Sequence, residues 1–263
     1  MEDEKLPLTE HLTDLRKRIT VSLIALSVTF GIAFTYSEEI FKALTFPLHY
    51  TLDFSVRNRY AYFIPQDKLN GIKLVFLAPA EAFWMNMKVA FVAGIILSLP
   101  VIFHQLWRFV SPGLLAKERK YVLPFIFSST VLFLVGAGFC FLIVLPLAMS
   151  FLLTYKVGEI MMPMLSVGQY VDFCLKFILA FGAIFELPII IVFLTRMGIV
   201  SPRTLAKNRK YAVLVAFVIA ALLTPTPDAF NQLLMAIPII LLYEIGIWIS
   251  PLFLKREEAK EEG

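Results

Sequence analysis

Long apolar runs constrain this chain more than any other feature. They cover about residues 19–36, 82–107, 121–153, 170–194, 211–224 and 230–249. About 20 apolar residues in a row is the length that crosses the hydrocarbon of a bilayer as a helix. The 59% hydrophobic content exceeds the roughly 45–50% of a soluble domain, so the solvent for these runs is lipid. A backbone in lipid must satisfy its own polar groups, which leaves helices or a closed barrel. The runs lack the two-residue alternation of barrel strands, so the spans are helices. The 25 phenylalanines and 15 prolines suit a bundle of bent helices. The expected fold is an all-α integral membrane protein, one membrane domain over residues 1–263 with six transmembrane helices.

Residues 1–18 begin acidic and become basic, and Leu8, Leu12, Leu15 and Ile19 recur at helical spacing. This predicts an amphipathic helix at the membrane surface that runs into the first span. No small-residue cleavage site follows that span, so it is expected to stay uncleaved. Residues 37–80 form the longest polar connection, punctuated by Pro47, Pro65, Gly71 and Pro79. Pro100 lies inside the second span, Pro124 and Pro146 inside the third, and Glu186 with Pro188 inside the fourth. Bending or tilt is expected in the third, which is long. The fifth run, Tyr211–Thr224, reaches only about 21 Å at 1.5 Å per residue, against a core of about 30 Å. Pro225-Thr226-Pro227-Asp228 turns the chain into the sixth span, and a charged tail, 250–263, follows.

Six spans place both termini on one side. The loops and ends on that side hold 16 lysines and arginines, and those on the other side hold 6. The positive-inside rule therefore predicts cytoplasmic termini. Two short segments on the same side match each other. Ser111-Pro112-Gly113-Leu114-Leu115-Ala116-Lys117-Glu118-Arg119-Lys120-Tyr121 is echoed by Ser201-Pro202-Arg203-Thr204-Leu205-Ala206-Lys207-Asn208-Arg209-Lys210-Tyr211. In each, Ser can cap a helix and Pro fits its first turn, so each is expected to start a helix that continues into the next span. The similarity reads either as a parallel duplication or as a chance likeness of basic loops. The first copy carries Glu118 where the second has neutral Asn208.

Three acids stand out. Glu186 lies within a span, where a charge costs a few kcal/mol, so it lines a polar cavity or serves as a protonated packing acid. Glu118 either pairs with its basic neighbours, which contributes little at a surface, or accepts an incoming cation. Asp14 either pairs with Arg18 one helical turn on or does the same. Cys140 and Cys174 in separate spans read as small core residues. His104 and Gln105 read as polar packing near an interface, and Trp84, Trp107 and Trp248 as interfacial anchors. The chain has no H-E-x-x-H, G-x-S-x-G, Walker A or dinucleotide-turn motif, and its three scattered histidines make no metal site. No enzymatic role, cofactor, metal or nucleic-acid partner is expected.

Five motifs in order resemble the TatC family, the multi-spanning receptor component of the twin-arginine protein translocase. His11-Leu12-Thr13-Asp14-Leu15-Arg16-Lys17-Arg18 is similar to the family's H-L-x-E-L-R-x-R. Phe109-Val110-Ser111-Pro112-Gly113-Leu114, and after it Glu118-Arg119, are similar to its first cytoplasmic loop. Phe181-Gly182-Ala183-Ile184-Phe185-Glu186-Leu187-Pro188 is similar to its F-G-x-x-F-E-x-P. Thr224-Pro225-Thr226-Pro227-Asp228 with Gln232 resembles the turn between its last two spans.

The resemblance implies six helices in a curved, glove-like array whose last two spans are short. It implies a receptor that binds twin-arginine signal peptides at the cytoplasmic face. Folded proteins would then be exported across the inner membrane with single-span partner subunits of the TatA and TatB type, in an oligomeric complex. It places Glu118 and Asp14 on the arginine pair, with Arg16, Phe109 and Pro112 in the same site. Carboxylates match guanidinium groups in bidentate pairs that lysine reproduces poorly. Asp14 stands where the family usually has Glu, and its carboxylate is drawn back by about 1.5 Å, so Glu118 is expected to contribute more. Glu186 becomes a polar element of the concave face that meets a partner helix, with Gln105 a second intramembrane polar residue. Pro47, Asp228, Gln232 and Glu244 fall in turn or partner regions. Partner helices are expected to dock on the short last spans along Phe230–Ile240, where the bilayer thins. The competing reading is a proton-coupled secondary transporter built on Glu186. An intramembrane hydrolase lacks an identifiable nucleophile–base pair.

Overall fold

The computed structural model of the chain describes residues 8–55, 60–65, 74–110, 122–154, 164–224 and 228–261. Glu118 and Pro112, and with them the first copy of the repeated segment, lie outside these residues, as does most of the short loop expected at 156–164.

The amphipathic start and the first span form one unbroken helix, α1 (Leu8–Thr35). The connection that reads as loop from its prolines carries structure of its own: α2 (Ser37–Leu44), α3 (Phe46–His49), an antiparallel hairpin of β1 (Tyr50–Ser55) and β2 (Tyr60–Pro65), and β3 (Leu74–Val75). The hairpin register pairs Tyr50 with Pro65 and Ser55 with Tyr60. Pro47 occupies the first turn of α3, where a missing N–H costs nothing, and is buried.

The second span is α4 (Glu81–Val110), continuous through Pro100. The third is α5 (Val122–Phe139), a π-helical segment Cys140–Val144, and α6 (Leu145–Thr154). The bend expected from Pro146 takes this form because the proline cannot donate to the carbonyl four residues back, and the wider π turn absorbs the misfit. After β4 (Leu165–Ser166), which pairs in parallel with β3, the fourth span is α7 (Val167–Phe185) and α8 (Leu187–Arg196).

The second copy of the repeat does not run straight into the fifth span. Ser201 caps α9 (Pro202–Lys207) by accepting the Thr204 N–H at 3.1 Å, with Pro202 in its first turn. The helix then breaks at Asn208 before α10 (Arg209–Leu223). Asn favours such breaks, because its side chain competes with the helical ladder.

Of the last two spans, only α10 is short. The last helix, α11 (Ala229–Glu261), has 33 residues, of which the apolar part is Ala229–Leu252. Its charged end, rich in Glu, Lys and Ala, consists of good helix formers and prolongs the helix beyond the membrane. Among the described residues five helices are long and apolar enough to cross a membrane, and α10 completes the six.

The principal contacts link the helices in pairs. Helix α1 packs on α4, α4 on α5 and α7, α5 on α7, α8 on α11, and α11 on α10. At the α1–α4 crossing the Thr29 hydroxyl donates to the Gly94 carbonyl at 2.8 Å, and a methyl group on Gly94 would lie 3.0 Å from the Phe30 backbone. Small residues that let backbones approach are how helices associate in lipid, where no hydrophobic force drives them together. The centre of the core is α7: Val171, Cys174, Phe177 and Phe181 are fully buried. Cys140 and Cys174 are buried free thiols.

Candidate functional site

The N-terminal acid lies on α1. Asp14 Oδ2 accepts a hydrogen bond from Arg18 Nε at 2.6 Å, the pair one helical turn apart that the sequence offered as one of two readings. The Asp14 side chain stays 36% exposed, whereas Arg18 is mostly covered. Arg16, two residues on, is exposed. A carboxylate in this position has its second oxygen and its lone pairs available to another guanidinium, since one acceptor group can serve several donors. Phe109 is half-buried in the last turn of α4, next to exposed Arg108. These residues mark the basic end of the bundle.

Glu186 sits at the junction of α7 and α8. Pro188, in the first turn of α8, ends the regular ladder, and Glu186 caps α7 with φ −73° and ψ −14°. Its side chain is 8% exposed. The Ser129 hydroxyl of α5 lies beside the carboxyl, while Oε1 has no hydrogen-bond partner among the described residues. Phe181 and Gly182 of the same motif explain how the acid is carried so close to α5. A methyl group on Gly182 would lie 2.5 Å from the Phe133 ring, and one on Gly136 would lie 2.6 Å from the Phe181 carbonyl oxygen. Next to the junction opens a crevice of about 500 Å³ lined by Phe125, Val131, Phe185, Pro188 and Leu242. Gln105 is half-buried on α4. Trp107, expected as an interfacial anchor, is buried instead, stacked on Phe125 and edge-on to Phe193, each at 4.8 Å. Offset-stacked and edge-on ring pairs attract through their quadrupoles, a contact that lipid chains do not offer an indole. Trp84 and Trp248 are exposed.

The turn residues do structural work. Asp228 Oδ1 accepts the Asn231 N–H at 2.8 Å and Oδ2 the Asn231 amide at 2.9 Å, which caps α11. Gln232 donates to the Phe217 carbonyl at 3.3 Å, tying α11 to α10. Glu244 takes Arg209 as a two-pronged pair at 2.6 and 3.0 Å, and Tyr243 donates to the Leu205 carbonyl at 3.0 Å. Arg209 thus belongs to the second copy of the repeat and holds α10 to α11.

Sequence reasoning missed two arrangements. Glu81, the first residue of α4, accepts the N–H groups of Leu77 at 2.6 Å and Ala78 at 3.3 Å with one oxygen. With the other it accepts the Gly168 N–H at 2.7 Å and the Ser166 hydroxyl. It clasps the start of α4 to the start of α7, and Tyr170 continues the clasp by donating to the Leu44 carbonyl at 2.6 Å. An acid at the head of an apolar run, where a helix N-terminus favours negative charge, was the available signal. The second arrangement is Lys88 with Asp172, whose oxygens accept from the ammonium at 2.7 and 2.9 Å. Together with Lys176 these are charges inside spans, and the two lysines are the cations left over when charges are assigned to loops.

Comparison with known proteins agrees with this architecture. The family model described as "Sec-independent protein translocase protein (TatC)" matches residues 10–238. A Sec-independent protein translocase protein TatC from Desulforapulum autotrophicum is 42% identical over 261 residues, covering 99% of this chain and 90% of the relative. One from Carboxydothermus hydrogenoformans is 41% identical over 262 residues, covering 100% of this chain and 99% of its own. Among solved structures, the crystal structure of a twin arginine translocase receptor, TatC, superposes with a TM-score of 0.77 at 37% identity, over 92% of this chain and 98% of that one.

Proposed function

The chain belongs to the TatC family of Sec-independent protein translocase proteins, and from that premise we propose that it is the twin-arginine receptor subunit whose carboxylates at Asp14 and Glu118 hold the paired arginines of a signal peptide. The observation that carries the reading is the likeness to a solved twin-arginine translocase receptor over almost its whole length. The half-exposed Asp14 carboxylate at the basic end of the bundle supports it, because a carboxylate with spare acceptor capacity suits a guanidinium fork. Arg16, Phe109 and Pro112 complete the site, with the basic side chains discouraging lone lysines from entering.

In this reading the basic end faces the cytoplasm, with both termini, and the chain lies in the inner membrane. Single-span subunits of the TatA and TatB type assemble with it. Glu186, with an oxygen unserved in a membrane span and an apolar crevice alongside, offers such a helix a polar contact among apolar ones.

The test is binding of a signal peptide to the purified chain in nanodiscs, in an Arg-Arg and a Lys-Lys form, with Glu118→Ala and Asp14→Ala. Wild type prefers Arg-Arg by at least tenfold, the scale of a lost charge-assisted pair. Glu118→Ala abolishes the preference, and Asp14→Ala reduces it by less. Binding indifferent to both the arginines and Glu118 overturns the reading.

A further inference from the structure

Three charged side chains sit together inside the membrane-spanning part of α4 and α7, and they do not balance. Lys88 and Asp172 neutralise each other, although their side chains are 44% and 41% exposed. Lys176, one turn beyond Asp172 on the same helix, is exposed as well, and among the described residues no carboxylate lies within ion-pair distance of it. The cluster carries one surplus positive charge. Exposed charge in hydrocarbon is costly, so polar medium must reach this depth.

Lys176 is nine residues into α7, which places its backbone about 13 Å below the start of that helix. Side chains lean towards the helix N-terminus, and the lysine stem reaches about 6 Å, so the ammonium lies about 7 Å below that start. Lys176 lines a groove of about 390 Å³ together with Gln169, Met149, Leu152, Phe173 and Leu223. Leu223 is the last residue of α10. That helix has 15 residues, about 22 Å against a hydrocarbon core of about 30 Å. Its other end carries Lys210 and the Arg209 that forks onto Glu244, charges that belong at the bilayer surface, so the shortfall of about 8 Å falls at Leu223. The membrane surface therefore dips beside the groove by the same distance at which the Lys176 ammonium waits.

We infer that this groove binds a phospholipid, whose phosphodiester meets Lys176 and whose acyl chain lies along Met149, Leu152 and Phe173. One phosphate charge balances the cluster, and Gln169 at the mouth supplies a neutral donor to the headgroup. The volume favours a lipid over a protein helix. A helix about 10 Å across fills about 800 Å³ for every 10 Å of its length, twice the groove, whereas a far thinner acyl chain fits. The inference rests on the chain crossing a membrane and stands apart from the receptor reading.

Native mass spectrometry of the full chain in detergent tests it, by titration with phosphatidylglycerol and with a diacylglycerol that lacks the phosphate. Wild type retains one phosphatidylglycerol in preference to the diacylglycerol. Lys176→Gln weakens that retention about tenfold and Lys176→Arg preserves it, as loss of one charge-assisted contact requires. Leu152→Trp, which keeps every charge but fills the groove, weakens it too, so a folding defect in one variant does not decide the matter. Equal retention by wild type and Lys176→Gln, or equal retention of the two lipids, overturns the inference. So does Lys176-dependent capture of a carboxylate-bearing single-span helix with lipid retention unchanged, which would assign the cation to a protein partner.

Discussion

Single carboxylates hold this protein at its junctions. Glu81 gathers two N–H groups from the segment before α4, and one N–H and a hydroxyl from the start of α7. Replacing it with Ala leaves those donors without a partner, and the two helix starts separate. Glu81→Ala is expected to speed hydrogen exchange at Leu77, Ala78 and Gly168 and to lower the Tm in detergent. Unchanged exchange at Gly168 would show that the clasp holds nothing. Glu244 does comparable work at the other end of the molecule by forking onto Arg209. The clasp between helices cannot be read from a sequence in either case, because each depends on a partner 35 or more residues away. The Asp14–Arg18 contact is legible, because both ends lie on one turn of one helix.

At the scale of elements, proline has three outcomes. Pro100 is carried within an unbroken α4. The region of Pro146 absorbs the lost bond in a π turn, and Pro188 ends α7 at Glu186 and begins α8. The residue is the same, so its neighbours decide. At Pro188 the acid, the break and the close approach to α5 coincide, and glycine makes that approach feasible. Gly136→Ala places a methyl group against the Phe181 carbonyl, which backbone cannot evade without moving α5 from α7. We expect a loss of about 1–3 kcal/mol, the usual cost of overpacking, read as a lower Tm with helical content retained. A Tm equal to wild type would mean that α5 and α7 are not pressed together there. The sequence showed where long helices lie, from the apolar period and the capping serine at 201. It did not show the small elements between 37 and 80, of which β1 and β2 pair locally with each other and β3 pairs with distant β4.

At the scale of the molecule, α1 packs on α4, α4 and α5 pack on α7, and α10 and α11 contact α7 as well as each other. Helix α10, with 15 residues, is the short member, so the mismatch with the bilayer is local. The whole chain is expected to be most stable in bilayers thinner than average. Reconstitution in phosphatidylcholines of increasing acyl length should give a Tm that peaks below the common 30 Å core and falls as the chains lengthen. A peak at or above that thickness would mean that α10 tilts out of the plane of the others, or that the lipid adjusts without cost.

Apolar runs, their length and the sign of the charge between them depend only on local composition, and a membrane reads composition directly. The sequence alone therefore determined a helical membrane protein with six spans, a short fifth one, and the motifs of its family. Contacts between helices depend on which faces meet, which no single run contains. Only the tertiary structure decided that Trp107 is buried, that Arg209 holds Glu244, that Glu81 clasps two helix starts, that Lys88 pairs with Asp172, and that Asp172 and Lys176 line one groove. In lipid the force that sorts apolar from polar no longer chooses between helix faces, so close fit and pairing of polar groups across helices make that choice.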